Sequence, residues 1–400
     1  MAGFTLSEKI LSAHCGKTAH AGEIVICRVD CVIGTDGSGP MAIDYFEQMR
    51  GQALFDPSRV YFSLDHYAPP DTPQTMAFHR RIREFAAAHG ATVFNVGDGI
   101  SHQVVVDRGL ISAGDLVVGA DSHAVTCGAL GAFAIGVGSS DLAAAMLTGK
   151  IWLRVPETIR VVLRGHRPPD VAAKDVALQL VREIGADGAN YQAIEFDGEA
   201  APGISLDDRL VLCNLMVEAG AKAAMFPATV TSDPDARFIR EIVCDLAAVT
   251  PRIARPHAPD NVVPLAAAAG VPVQMVFIGT CTGGRAVDFR DAWNGFTRAG
   301  GQLAPGVQLV LTPASREVHD QIAADGTLGR FLAAGAILTE TGCGACCGTS
   351  GVIPGDGVTV LSTANRNFKA RMGNATAEIY LASPAVCGAA AATGRIPEAV

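Results

Sequence analysis

No run of basic residues marks this chain, and that absence is informative. The formal net charge is −9 over 400 residues, and the lysines and arginines do not gather into a stripe. An extended phosphate-binding face is therefore not expected, and anionic ligands would have to be met by local arginines. Long apolar runs are missing as well. Val262–Val273 is apolar, but Pro264, Gly270 and Pro272 interrupt it, and it is too short to cross a bilayer. Met1-Ala2-Gly3-Phe4-Thr5-Leu6-Ser7-Glu8-Lys9 lacks the apolar core of a secretory signal, so a cytoplasmic protein is expected. Low-complexity tracts, long linkers and internal repeats are also wanting. What remains, 49% hydrophobic and 18% charged residues, is a globular chain long enough for two or three domains.

Cysteine is plentiful. Eleven is an odd number in a chain without secretion signals, which argues against a disulfide framework. Cys15, Cys27, Cys31, Cys127, Cys213, Cys244 and Cys387 are spread through mostly apolar stretches and read as small buried hydrophobes. Cys281, Cys343 and Cys346 differ. The first closes a short apolar strand in Val276-Phe277-Ile278-Gly279-Thr280-Cys281-Thr282-Gly283-Gly284-Arg285. The other two lie in Thr341-Gly342-Cys343-Gly344-Ala345-Cys346-Cys347-Gly348. A Cys-x-x-Cys pair alone also suits a redox or zinc site. A third cysteine at a strand end, with glycines around it, points to an iron–sulfur cluster held at three corners. Its fourth iron would be left open to a substrate oxygen. Cys347 could replace Cys346 or simply line the pocket.

Strand-like and helical runs alternate, which argues an α/β fold. Phe78, Ile82 and Phe85 share a helical face, Gly90 ends that helix, and Ala91–Val96 reads as a strand. Leu116–Ala120 is a buried strand leading into Asp121-Ser122-His123. Gly128–Gly149 reads as a loop and a closely packed helix, and Thr158–Arg164 as a strand. Asp170 is a candidate N-cap for a helix to Ile184, and Ser205 with Asp208 for one ending at Gly220. Boundaries are expected near Val155–Arg160 and Gly270–Val273, giving domains 1–158, 159–272 and 273–400.

Acids and imidazoles recur at strand ends and tight loops: Asp65-His66, His102, Asp121-Ser122-His123 and Glu195. Sites collect at strand carboxyl ends in open α/β architectures. A carboxylate beside an imidazole fixes its tautomer and raises its pKa into a proton-donating range. Singly, each such residue is as well explained by a structural hydrogen bond. In Asn365-Arg366-Asn367-Phe368-Lys369-Ala370-Arg371 the two arginines are suited to paired bonds with carboxylates. His79, His89, His166, His257 and His319 read as surface residues.

Together these strings resemble the aconitase superfamily, in particular the large subunit of two-subunit 3-isopropylmalate dehydratase of leucine biosynthesis and its homoaconitase-like and dimethylmalate dehydratase-like relatives. The resemblance runs from Thr5-Leu6-Ser7-Glu8-Lys9-Ile10-Leu11 through Asp121-Ser122-His123 and Cys213-Asn214-Leu215-Met216-Val217-Glu218-Ala219-Gly220 to Tyr380-Leu381-Ala382-Ser383-Pro384. It implies three α/β/α domains around a [4Fe-4S] cluster on Cys281, Cys343 and Cys346. It also implies acid–imidazole pairs of Asp65 with His66, Asp121 with His102 and Glu195 with His123. Arg285, Arg366 and Arg371 would bind substrate, a hydroxy di- or tricarboxylate. A serine base would come from a swivel domain absent here and expected as a separate small subunit. The chain departs from the family pattern at Ala124 for threonine, Gly283 for asparagine, Thr341 for proline and Ala370 for glycine, so a changed substrate is an open alternative. A cluster-based sensor or RNA-binding protein is a further alternative, which the acidic balance disfavours.

Overall fold

The strands that build the centre are buried along their whole length, as parallel strands covered on both faces must be. Cys31–Thr35, Val60–Ser63 and Leu116–Gly119 expose no residue. In the computed structural model, which describes residues 3–400, they join Thr92–Phe94 and Phe133–Gly136 in a five-stranded parallel sheet. Alternation sorts the side chains onto two faces. Val32, Val60, Phe62, Leu116 and Val118 enter one core cluster; Cys31, Ile33, Tyr61 and Val117 enter another. The helix Pro73–His89 ends at Gly90, left-handed at φ 79°, as read from the sequence. The glycine-rich stretch after Asp121 holds one element not anticipated, the strand Phe133–Gly136. It forms because its neighbour Leu116–Gly119 offers a full parallel edge.

A second sheet runs in the order Ala223–Met225, Ala193–Asp197, Thr158–Arg164, Arg240–Asp245, again parallel. Helices Ala173–Ile184 and Leu206–Leu215 cover one of its faces through Ile159, Val161, Ile194 and Phe196. The first of these is entered at Ala172, with Asp175 accepting the Ala172 N–H, so Asp170 is not its cap. The second is capped by Ser205 as expected, then tightens into a 3₁₀ turn before the left-handed Gly220.

The third sheet has seven strands. Glu378–Leu381, Thr359–Ser362, Met275–Gly279, Gln308–Thr312 and Ile337–Leu338 are parallel, and Arg252–Ala254 with Val262–Pro264 adds an antiparallel edge. That edge begins ahead of the boundary expected near Gly270. The two faces again divide, Val276, Ile278 and Leu309 to one cluster and Met275, Phe277 and Val310 to the other. No helix among the described residues is long and apolar enough to cross a membrane.

Candidate active site

Strand carboxyl ends of the first and third sheets meet, and the loops they release carry the chemistry. Backbone bonds sew the junction: Cys343 N–H donates to Asp65 O at 2.7 Å and Ile100 N–H to Ala314 O at 2.8 Å. Ser350 Oγ adds a bond to Ala68 O at 3.0 Å. The cysteine loop of one sheet is thereby seated on the Asp65-His66 loop of the other.

His66 lies between two carboxylates. Its Nδ1 is 2.8 Å from Asp65 Oδ1 and its Nε2 is 3.3 Å from Asp121 Oδ2. Burial alone would lower its pKa, but the charge of Asp65 and the bonds to Asp121 and Asp65 win and carry it well above the usual value. The surroundings favour the charged ring, and 19% of the side chain stays exposed. Its backbone N–H donates to Asp36 Oδ1 at 2.9 Å, and Tyr67 N–H to Asp36 Oδ2 at 2.9 Å. His79, expected at the surface, is instead fully buried, with Nε2 2.9 Å from Asp36 Oδ2. Asp36 and His79 hold the His66 loop in place.

The other two acid–imidazole pairs differ from expectation. His123 Nε2 is 2.9 Å from Glu218 Oε1, not bonded to Glu195. Strand alternation explains this: Glu195 faces away from the helices on its sheet and accepts Ser232 Oγ at 2.7 Å and Leu6 N–H at 3.3 Å. Glu218 sits in the 3₁₀ turn that follows the helix Leu206–Leu215 and also takes Arg366 Nε at 2.8 Å. Burial works to lower the His123 pKa, and bonds to Asp121 and Glu218 raise it overall. His102 has no hydrogen bond to Asp121; both ring nitrogens are buried and unpartnered. Burial takes its pKa down to about 4 against the pull of Asp121, so it is neutral. Asp121 serves His66 and His123 instead, and their bonds hold its carboxyl well below the usual range against burial.

Cys281, Cys343 and Cys346 come together. Cys343 packs with both the Cys281 and the Cys346 clusters, and its thiol bonds toward Cys346. Polar groups aim at the sulfurs. Asn214 Nδ2 donates to Cys281 Sγ at 3.1 Å and Asn365 Nδ2 at 3.4 Å. Arg371 Nη2 donates to Cys346 Sγ at 3.4 Å. Donors converging on buried sulfur fit cysteines that work as thiolates, the form in which sulfur ligates a metal or cluster. The bond from Cys343 and the charge of Arg371 hold the Cys346 thiol well below its usual value, against burial. Cys347 turns back on its own loop, its Sγ 3.3 Å from Cys343 O. Arg285 is 2% exposed and donates through Nη1 to Cys281 O at 2.6 Å, so it braces the loop from inside.

Asn214 and Glu218 had a signal in the sequence. Four residues apart in a helical stretch, they lie on one face and reach one site. The departures from the family pattern also find places. Ala370 is left-handed at φ 67°, the region that favours glycine. A Cβ on Gly283 would come 2.2 Å from Thr363 Cβ, so no side chain fits there. Ala124 is buried, and Thr341 is buried with its hydroxyl unpartnered.

A parallel-sheet scaffold whose loops bring His66, three converging thiols, Arg366 and Arg371 together suits a hydro-lyase. The model of the aconitase family (aconitate hydratase) matches residues 8–231 and 266–394. The homoaconitase large subunit of Thermus thermophilus is 43% identical over 407 residues, covering 98% of this chain and 96% of that one. The 3-isopropylmalate dehydratase large subunit 1 of Methanopyrus kandleri is 41% identical over 99% of both chains. Aconitase X of Thermococcus kodakaraensis superposes with a TM-score of 0.55 at 14% identity, over 90% of this chain and 88% of the other, which shows the shared fold. The chain belongs to the aconitase family.

Proposed function

We propose that this chain is the large, catalytic subunit of a two-subunit iron–sulfur dehydratase that removes and re-adds water on a hydroxy di- or tricarboxylate, with 3-isopropylmalate the leading substrate. The observation that carries the reading is the convergence of Cys281, Cys343 and Cys346 beside His66, which Asp65 and Asp121 hold from both sides. Those cysteines would hold a [4Fe-4S] cluster, which supplies a Lewis acid for a substrate hydroxyl and carboxylate through an iron free of cysteine. His66 keeps its proton for the departing hydroxyl. Arg366, steadied by Glu218, and Arg371 meet the substrate carboxylates in paired charge-assisted bonds. Arg285 acts from behind, keeping Cys281 in place. A small swivel-domain subunit would supply the serine that takes the carbon-bound proton. Such an enzyme fits a cytoplasmic setting.

Anaerobic reconstitution followed by a dehydration assay with the small subunit, read by alkene absorbance, tests the proposal. Turnover of 3-isopropylmalate is expected. A loaded, paired enzyme inert toward every hydroxy di- and tricarboxylate would overturn the reading. The 43% identity to a homoaconitase large subunit favours one second reading, a homoaconitase reaction, which the same assay separates by substrate.

A further inference from the structure

A buried ammonium lies behind the cysteine loops with no carboxylate bonded to it. Lys174, at the start of the helix Ala173–Ile184, is only 2% exposed. Its Nζ donates to Thr282 Oγ1 at 3.2 Å, to Thr363 O at 3.0 Å and to Ala364 O. Thr282 is the neighbour of Cys281; Thr363 and Ala364 lead into Asn365 and Arg366. Thr282 Oγ1 also donates to Thr363 O at 2.9 Å. One side chain of the second sheet's helix layer thus spans two loops of the third sheet, those carrying a cysteine ligand and the carboxylate-binding arginine.

Three neutral acceptors satisfy the three ammonium protons but leave the charge unanswered. A methionine would fill the same space without that desolvation cost, so simple packing does not account for a lysine here. Burial lowers the Lys174 pKa to about 8, against the pull of Cys387, Cys281, Asp288 and Cys346. Burial drives the Cys387 thiol far up, which leaves it neutral, and raises the Asp288 carboxyl to about 6. Burial raises the Cys281 thiol to about 12, but as ligands Cys281 and Cys346, each receiving N–H donors, would be thiolates and would complete the balance.

We propose that Lys174 is a positioning residue of the active site, which locks the Cys281 loop onto the Asn365–Arg366 loop and balances the charge of the cysteine ligands from behind. The inference rests on the dehydratase reading for the ligand set and goes beyond it in assigning this residue.

The test uses the full chain with its partner, carrying Lys174→Met, Lys174→Gln or Thr282→Val. After anaerobic reconstitution, iron and sulfide content, the rate of bleaching in air and the reduction potential are measured, then KM and kcat. Lys174→Met should bleach faster by roughly tenfold or more, as disturbed outer-shell contacts do. It should also shift the potential to more negative values and raise KM as Arg366 loosens. Lys174→Gln, which keeps N–H donors but no charge, should recover part of the KM while its potential stays negative. If the methionine variant does not fold, the glutamine and valine variants carry the test. Thr282→Val should bleach faster with a smaller effect, and its combination with Lys174→Gln should be non-additive. A folded Lys174→Gln with wild-type potential and bleaching, losing only thermal stability, would make Lys174 a packing residue. A wild-type chain that takes up no iron or sulfide would sink both readings, whereas a loaded wild type with unaltered variants sinks this one alone.

Discussion

Glu218 joins an imidazole to an arginine, because it bonds His123 and Arg366 at once. Glu218→Gln removes one partner of a buried charge network and should cost about 3 kcal/mol or more of stability. The sign with pH follows from His123. Its folded pKa is raised above the ordinary 6.5, so its share of stability is fully present below that value and lost as pH rises through the folded pKa. The deficit of Glu218→Gln in urea unfolding should therefore be larger at pH 6 than at pH 9; a deficit that grows toward pH 9 would rule out the ion pair. Ala370 gives a prediction of opposite sign. A left-handed alanine costs roughly 1–2 kcal/mol, and glycine's extra chain entropy returns part of that. Ala370→Gly should stabilise by about 0.5–1 kcal/mol, and a lower Tm would show that the alanine methyl contributes packing that outweighs the strain.

Among elements, the strand Cys31–Thr35 and the helix Pro73–His89 matter through what lies between them. Asp36 accepts from His66 N–H, Tyr67 N–H and His79, and so ties the helix to the His66 loop. The bond from His79, with the charge of His66, holds its carboxyl below the usual 3.8 against burial. Its contribution is present above 3.8 and lost as pH falls through the folded pKa. Asp36→Asn brings an N–H donor up against N–H donors and should cost about 1–3 kcal/mol near neutrality, with a shallower loss of stability in acid than the parent. Equal acid profiles would deny Asp36 this role. The strand Met275–Gly279 opens into a loop that leaves no room at Gly283. Gly283→Ala should lose about 1–3 kcal/mol from overpacking against Thr363, measured by thermal melting; an unchanged Tm would mean that the loop yields freely.

At the scale of the whole molecule, the strand ends of two sheets bring cysteines, imidazoles and arginines together, and under the proposed function a small subunit supplies the serine base. The purified chain alone should be nearly inactive, and activity should appear on adding the small subunit. Full turnover with one polypeptide on a gel would overturn the two-subunit reading. Cys343→Ser should abolish the visible absorbance of a reconstituted cluster while Cys347→Ser keeps it, since Cys347 is turned toward its own backbone. Loss in the second variant and not the first would exchange their roles.

The sequence by itself determined the α/β alternation, the helix end at Gly90 and the strand-end places of Asp65, His66 and Asp121, and it singled out the three cysteines that come together. Local rules suffice for these: apolar period, left-handed glycine stops and residue chemistry at strand ends all act within a few residues. Partnership across the chain was decided only by the tertiary structure. Glu195 and Glu218 are both acids near apolar elements in the second unit, and the sequence reading favours Glu195. Packing decides which one meets His123: Glu195 lies on the sheet face that meets Leu6 and Ser232, whereas Glu218 lies in the 3₁₀ turn beyond the helix Leu206–Leu215 and reaches the imidazole. The same holds for His79, whose helical setting reads as surface until Asp36 is brought against it, and for Lys174, whose partners lie more than a hundred residues away in the chain. Long-range pairing of polar groups has no period along the chain, so only the folded core, by excluding water, selects the partners that must be satisfied.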